Sequence, residues 1–377
     1  MFNKSKIFKI IMENWNIPLL EIGGRKMKLI QGGMGVGISC AGLASAVANN
    51  GGMGVIASVG LNEAKPYRRG EYEASSSSAL RDEIKLARSK INGNGFLGVN
   101  IMHALSNYSN LVQTALEEKI DFIISGAGIP RDLPSYSSKI GNTHTGLIPI
   151  VSSAKLAYIM CKAWARYNHL PDAIVVEGPM AGGHLGYSNE QLADSEFVSG
   201  GLEKIIPEVI LAVRSFETSS KKIPVIAAGG IFYGGDIKKF LNIGVSGVQM
   251  ATRFVTTHEC DADIRFKQAY LDCKKEDLVI INSPVGMPGR AIKNKFLEEV
   301  EAGKKVPITC PFHCIKTCIP ENSPYCIARA LVEARAGRFE KGYVFAGSTA
   351  WRCNEIISVS QVFENLNREY LEGRVSD

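Results

Sequence analysis

Small residues close one apolar run after another in this chain, and the pair of runs between Pro224 and Val255 shows what they could do. The run Pro224–Ala228 ends in Gly229-Gly230, a short amphipathic segment follows, and Gly247–Met250 ends in Ala251-Thr252. Such endings let backbone N–H groups approach an anion, and in a (β/α)8 barrel the loops after strands seven and eight hold a phosphate. Similar endings occur at Gln31-Gly32-Gly33-Met34, at Gly98-Val99-Asn100 and at Ser125-Gly126-Ala127-Gly128. Another is Glu177-Gly178-Pro179-Met180-Ala181-Gly182-Gly183-His184. One glycine alone reads as a tight turn. Glycines at the end of so many runs let the backbone come close to a large flat ligand. Asn100 and Gln249 add amides able to match the edge of a heterocycle. A flat ring with one phosphate describes flavin mononucleotide (FMN).

His184 is the strand-end residue suited to proton transfer near neutral pH. It follows Gly182-Gly183 on the loop after the sixth run, which faces a barrel mouth. His103, His144, His169 and His258 fall beyond strands or helices in less telling positions. Four cysteines, Cys310, Cys314, Cys318 and Cys326, are spaced C-x3-C-x3-C-x7-C with His313 between the first two. A helix over Cys310–Cys318 would put three sulfurs on one face, although Pro311 and Pro320 limit it to about two turns. Zinc or an iron–sulfur cluster is one use of four soft ligands. The spacing is neither that of a zinc ribbon nor that of a ferredoxin, and packing by small apolar thiols is the preferred reading.

The elements that must position these residues are legible as eight apolar runs of strand length. They are Lys28–Met34, Met53–Ser58, Phe96–Met102, Phe122–Ala127, Leu147–Ser153, Ala173–Gly178, Pro224–Gly230 and Gly247–Phe254. Helical patterns lie between them at Ala41–Asn49, Ala79–Lys90, Leu111–Lys119, Ala154–Tyr167, Leu202–Ser215 and Gly235–Leu241. Near-continuous apolar strands alternating with amphipathic helices mean a parallel sheet covered on its faces. Eight such units predict an α/β fold closed as a TIM barrel. No Gly-x-Gly-x-x-Gly opens a helix in a βαβ context, which argues against an open dinucleotide-binding sheet. Long polar loops are expected on the C-terminal face at Leu61–Ser78, Gly128–Gly146 and Ala181–Ser199. Residues 1–282 are read as the barrel, and 283–377 as a cap packed on it, with a helix at Ile327–Arg335.

The 377 residues allow one barrel plus such an appendage. A formal charge of +6, with dispersed lysines and arginines, gives no nucleic-acid footprint and is compatible with an anionic cofactor or substrate. The start of the chain lacks the pattern of a signal peptide, and no window offers the ~20 apolar residues of a membrane span. The cytoplasm is therefore the expected compartment, where nine cysteines serve as thiols or metal ligands rather than disulfides.

Six strings in order, QGGMGVG, GVNIM, SGAG, EGPMAGGHLG, IPVIAAGGI and GVQMATRF, resemble the nitronate monooxygenase (2-nitropropane dioxygenase-like) family. The FMN-dependent enoyl-acyl-carrier-protein reductases are its relatives. The resemblance runs from about Leu29 to Arg290 and implies a flavin-binding TIM barrel. Carried over position by position, it puts FMN against Gly32, Gly33, Met34, Asn100, Gly182, Gly183, Gly229, Gly230, Gln249, Ala251 and Thr252. His184 becomes the catalytic histidine, and no metal is implied. The implied reaction is oxidation of an alkyl nitronate by O2. Reduction of an enoyl thioester with NAD(P)H is the alternative, and a flavin-binding sensor without turnover is the non-enzyme one. The implied partners are small molecules, with a homo-oligomer possible and neither nucleic acid nor membrane involved.

Overall fold

The computed structural model describes residues 14–62, 72–93, 95–306, 308, 310 and 314–376. Its centre is a closed barrel of parallel strands, a TIM barrel. The strands are β1 (Ile30–Gln31), β2 (Met53–Ala57), β3 (Phe96–Met102), β4 (Phe122–Gly126), β5 (Gly146–Val151), β6 (Ile174–Glu177), β7 (Val225–Ala228) and β8 (Gly247–Met250). Closure comes from β8 pairing with β1, with Gln249 beside Ile30 and Met250 beside Gln31. Successive side chains point to opposite faces, as a strand requires. Val55, Ile124, Val175 and Ile226 pack inside the barrel. Ile56, Ile123, Val176 and Ala227 pack outward beneath the helices. Both faces are buried, which is why the strands read as unbroken apolar runs. A hairpin of Leu20–Ile22 and Arg25–Met27 precedes β1, and its Leu20, Ile22 and Met27 join the inner core.

The outer helices are α1 (Ala41–Asn49), α2 (Tyr72–Lys90), α3 (Tyr108–Glu117), α4 (Leu133–Lys139), α5 (Ala154–Ala165), α6 (Ser195–Arg214) and α7 (Gly234–Ile243). The expected polar loops are more helical than their composition suggests. Tyr72–Ser78 belongs to α2, where Ser75 and Ser76 are buried and donate their hydroxyls to the Tyr72 carbonyl at 3.0 and 2.6 Å. Serine hydroxyls satisfied by the preceding turn no longer compete with the helix. The remainder of that loop, 63–71, lies outside the described residues. Within Gly128–Gly146, α4 starts with Pro134 in its first turn, a place where a missing N–H costs nothing. Asp194 caps α6 through the N–H groups of Glu196 and Phe197, so α6 begins seven residues before Leu202. The eighth run is shorter than read: β8 stops at Met250, and Thr252–Val255 is a short helix.

The eighth helix position is filled from the far end of the chain. Helix α8 (Val359–Glu372) packs against α7 and α1. Between β8 and α8 the chain builds a cap. Strands β9 (Leu278–Asn282), β10 (Pro288–Ile292) and β11 (Val344–Phe345) form an antiparallel sheet, accompanied by the helix Ile327–Arg335. A buried ion pair locks α8 in place. Arg253 donates to both carboxylate oxygens of Glu369 at 2.6 and 2.8 Å and to the Phe232 carbonyl at 3.0 Å. Glu369 also accepts the N–H of Gly234 at 3.1 Å. The loops after β7 and β8 are thus tied to α8. Removing one partner of a buried pair strands the other charge. Glu369→Ala should lower the unfolding free energy by about 3–5 kcal/mol in urea titrations, with much of the loss recovered in an Arg253→Met/Glu369→Met double variant. A single variant within 1 kcal/mol of the parent, roughly, would show that the pair contributes little.

Candidate active site

The residues that the resemblance assigns to a flavin site meet, with His184, in one cavity of about 360 Å³ at the C-terminal mouth of the barrel. Gly32, Gly33, Met34, Asn100, Gly182, Gly183, His184, Gly229, Gly230, Gln249, Ala251 and Thr252 all line it. At one corner, Gly229 and Gly230 adopt φ of +93° and +82°, a left-handed conformation that favours glycine. Among the described residues, no group accepts the N–H groups of Gly229, Gly230 or Thr252. Backbone donors left open at the ends of β7 and β8 are what an anion needs. Next to them, Gly32 lies against Gln249 and Ala251, and Gly33 abuts Asn100, where an added Cβ would stand 2.5 Å from the Asn100 Cβ. The Gln249 Oε1 atom is buried with no hydrogen-bond partner among the described residues. A buried amide oxygen without a donor is costly, and a ligand N–H or O–H in the cavity would satisfy it. The residues present therefore fit a flat heteroaromatic ring bearing a phosphate.

Opposite this corner, the loop after β6 is zipped to the cap. Gly183 and His184 pair antiparallel with Arg290 and Gly289 of β10. Arg290 sends its guanidinium to the carbonyls of Pro179 and Ala181 at 2.7 and 2.6 Å, and burial lowers its pKa to about 10. The backbone just after β11 passes so close to Gly182 that a Cβ there would meet the Ala346 carbonyl carbon and the Gly347 nitrogen at 2.5 Å. His184 is held from two sides. Its Nε2 lies 2.9 Å from the Ser283 Oγ, and Phe345 meets its ring edge-on at 5.1 Å. Burial pushes the imidazole pKa down to about 4, so the ring is neutral at pH 7.

The sequence reading passed over Glu177. It ends β6, lines the same cavity, and has no ionic or hydrogen-bonded side-chain partner among the described residues. Burial alone pushes its pKa up to about 7. A lone acid closing an apolar strand was the available signal. Ser283 was also missed, because it sits 99 residues from His184, in the cap. Val285, Met287, Ile315, Ile327, Leu331 and Phe345 give the cap side of the cavity an apolar wall, and no lysine or arginine is among the described lining residues.

The other candidates are elsewhere. His103 is outside the lining; His144 lies 3.2 Å from Asp121 and His169 3.5 Å from Asp172, both beside a second crevice near the opening hairpin. Of the cysteines, Cys314 reaches the cavity wall. The helix considered over Cys310–Cys318 does not form among its described residues, where Ile315 instead bridges antiparallel to Leu105. His313 lies outside the described residues. Among those described, no three His, Cys, Asp or Glu side chains are grouped to hold a metal, and no helix is long and apolar enough to cross a membrane.

The family model for nitronate monooxygenase matches residues 17–369. The chain belongs to the nitronate monooxygenase family. Within that family and around it, the chain is similar to proteins of differing names. A 5-hydroxy-7a-methyl-1-oxo-octahydro-1H-indene-4-carboxyl-CoA dehydrogenase of Mycobacterium tuberculosis is 28% identical over 76% of this chain and 69% of its own. A probable nitronate monooxygenase of Staphylococcus aureus is 27% identical over 72% of this chain and 77% of its own. The structure of FabK from Thermotoga maritima superposes with a TM-score of 0.70 at 25% identity, covering 96% of both chains. Family membership makes the chain an oxidoreductase of the flavin type.

The raised pKa of Glu177 gives the cavity a measurable signature. Between its ordinary value of 4.5 and about 7 the folded state holds a proton that the unfolded state has released. Its stability contribution is therefore complete below pH 4.5 and is lost as pH rises through 7. Glu177→Gln should gain stability relative to the parent from pH 5 to pH 8, read as the difference in urea midpoints. A difference that is flat across that range would place the ionised carboxylate in a solvated or paired setting.

Proposed function

We propose that the protein is an FMN-dependent oxidoreductase of the nitronate monooxygenase type, with His184 as the residue that meets the substrate. The observation that carries this reading is the convergence of open backbone donors, an unsatisfied Gln249 amide and a buried neutral histidine on one cavity. The phosphate would rest on the backbone at Gly229-Gly230 and Ala251-Thr252. The ring would lie along Gly32, Gly33 and Met34, with Asn100 and Gln249 at its edge and Gly182-Gly183 on the far side. A bound flavin supplies a redox centre able to pass electrons between a substrate and O2 or NAD(P)H.

The chain's own groups do the rest. The apolar cap wall excludes water from the reacting atoms and strengthens each polar contact inside. His184, neutral and fixed against Ser283 and Phe345, offers a hydrogen bond where charge develops on the substrate. Glu177, with its pKa pushed up to about 7, is the group able to hold or release a proton near neutral pH.

Reduction of an enoyl thioester by NAD(P)H is the second reading, and the cap wall favours it. A long neutral acyl chain suits an apolar surface with no lysine or arginine among its described residues. Aerobic turnover of a nitronate without NAD(P)H supports the first reading, and NAD(P)H-dependent loss of an enoyl thioester supports the second. In either case His184→Leu should keep the yellow flavin and lower kcat by roughly 10²–10³, the usual effect of losing one donor to a developing charge. Parent-like turnover in that variant would reduce His184 to a packing residue.

A further inference from the structure

The turn between β9 and β10 reaches the reacting face of the cavity. It spans Ser283 to Met287, is closed by the Ser283 N–H to the Met287 carbonyl at 3.1 Å, and carries Val285 and Met287 into the cavity wall. Ser283 is 6% exposed. Its Oγ accepts the Val285 N–H at 3.4 Å and lies 2.9 Å from His184 Nε2. Among the described residues the hydroxyl hydrogen has no other acceptor, and a buried hydroxyl without one is costly. The hydroxyl therefore donates to Nε2. A neutral imidazole carries one proton, so an Nε2 that accepts leaves that proton on Nδ1. Among the described residues Nδ1 makes no hydrogen bond, so its N–H is available to a ligand.

We infer that Ser283 is a positioning residue that holds His184 as the Nδ1–H tautomer, so that His184 meets its substrate as a hydrogen-bond donor to oxygen. The inference rests on the reading of His184 as the substrate-facing group. It also narrows the substrate. An N–H donor stabilises negative charge on a nitronate oxygen or on a thioester carbonyl oxygen. With Nδ1 protonated and Nε2 engaged, the ring has no lone pair free to take a proton from carbon. Within the nitro series the preferred substrate is then the nitronate anion, already deprotonated, and not the neutral nitroalkane.

Nitrogen-15 spectra of the flavin-loaded protein with labelled histidine test this, with the His184 signals assigned by their loss in His184→Leu. A protonated, pyrrole-type Nδ1 and a bare, pyridine-type Nε2 are expected. Ser283→Ala should mix the two tautomers and lower kcat on the supplied nitronate or enoyl thioester about tenfold, with KM little changed, the scale of one lost hydrogen bond. Ser283→Thr, which keeps the hydroxyl, should restore both readouts. A proton on Nε2 in the parent overturns the inference, as does a Ser283→Ala protein with parent-like spectrum and kcat. Absence of turnover on every substrate would sink the functional reading alone, because the tautomer is read from the spectrum.

Discussion

One buried cation organises the barrel mouth. The Arg290 guanidinium is fixed by the carbonyls of Pro179 and Ala181 in the seam between cap and barrel. A charge out of water must keep its partners, so the loop after β6 cannot drift from the cap without stranding it. The strand pairing of Gly183 and His184 with β10 follows from that clamp. So does the approach of Ala346 and Gly347 to Gly182, tolerable only without a side chain. The cap is consequently part of the cavity lining. It places the Ser283 Oγ 2.9 Å from His184 Nε2, packs Phe345 against the imidazole and adds an apolar wall through Val285, Met287 and Leu331.

The chemistry of the cavity reflects its dryness. Burial shifts His184 down to about 4, which leaves it uncharged at neutrality, and Glu177 up to about 7, which poises it between its two forms there. Neither shift is driven by a neighbouring charge, since desolvation is the cause in both. The described lining carries no lysine or arginine, so the donors it offers to an anion are the open backbone N–H groups of Gly229, Gly230 and Thr252. The buried Arg253–Glu369 pair serves the same end from outside, holding the loops after β7 and β8 while its charge stays off the cavity wall.

How much of this was legible depended on where the information sits. The barrel was readable because both faces of each strand are buried, as with Val175 inside and Val176 outside in β6, which leaves an unmistakable apolar run. The cavity was readable because small residues at the ends of those runs must converge once the barrel closes. The starts of α1 and α5 were readable too, but that of α2 was not, since Ser75 and Ser76 have the composition of a loop and become helical through their bonds to Tyr72. Helix α8 shows Val359, Val362, Phe363 and Leu366 at helical spacing, yet nothing local says that it completes the ring beside α1. Ser283 lies outside the quoted strings, and Glu177 opens EGPMAGGHLG without being marked there as more than the end of an apolar run. Their roles arise from contacts across the chain, visible only in three dimensions.

The most direct test of the account is a calorimetric comparison of FMN and riboflavin binding to flavin-free protein. The two ligands share the ring and differ by the phosphate, the group assigned to the open N–H groups of Gly229, Gly230 and Thr252. The account predicts that FMN binds at least about a hundredfold more tightly, on the order of two charge-assisted hydrogen bonds, and that Thr252→Glu removes most of that advantage. Equal affinity for the two, or no binding of either, would contradict it.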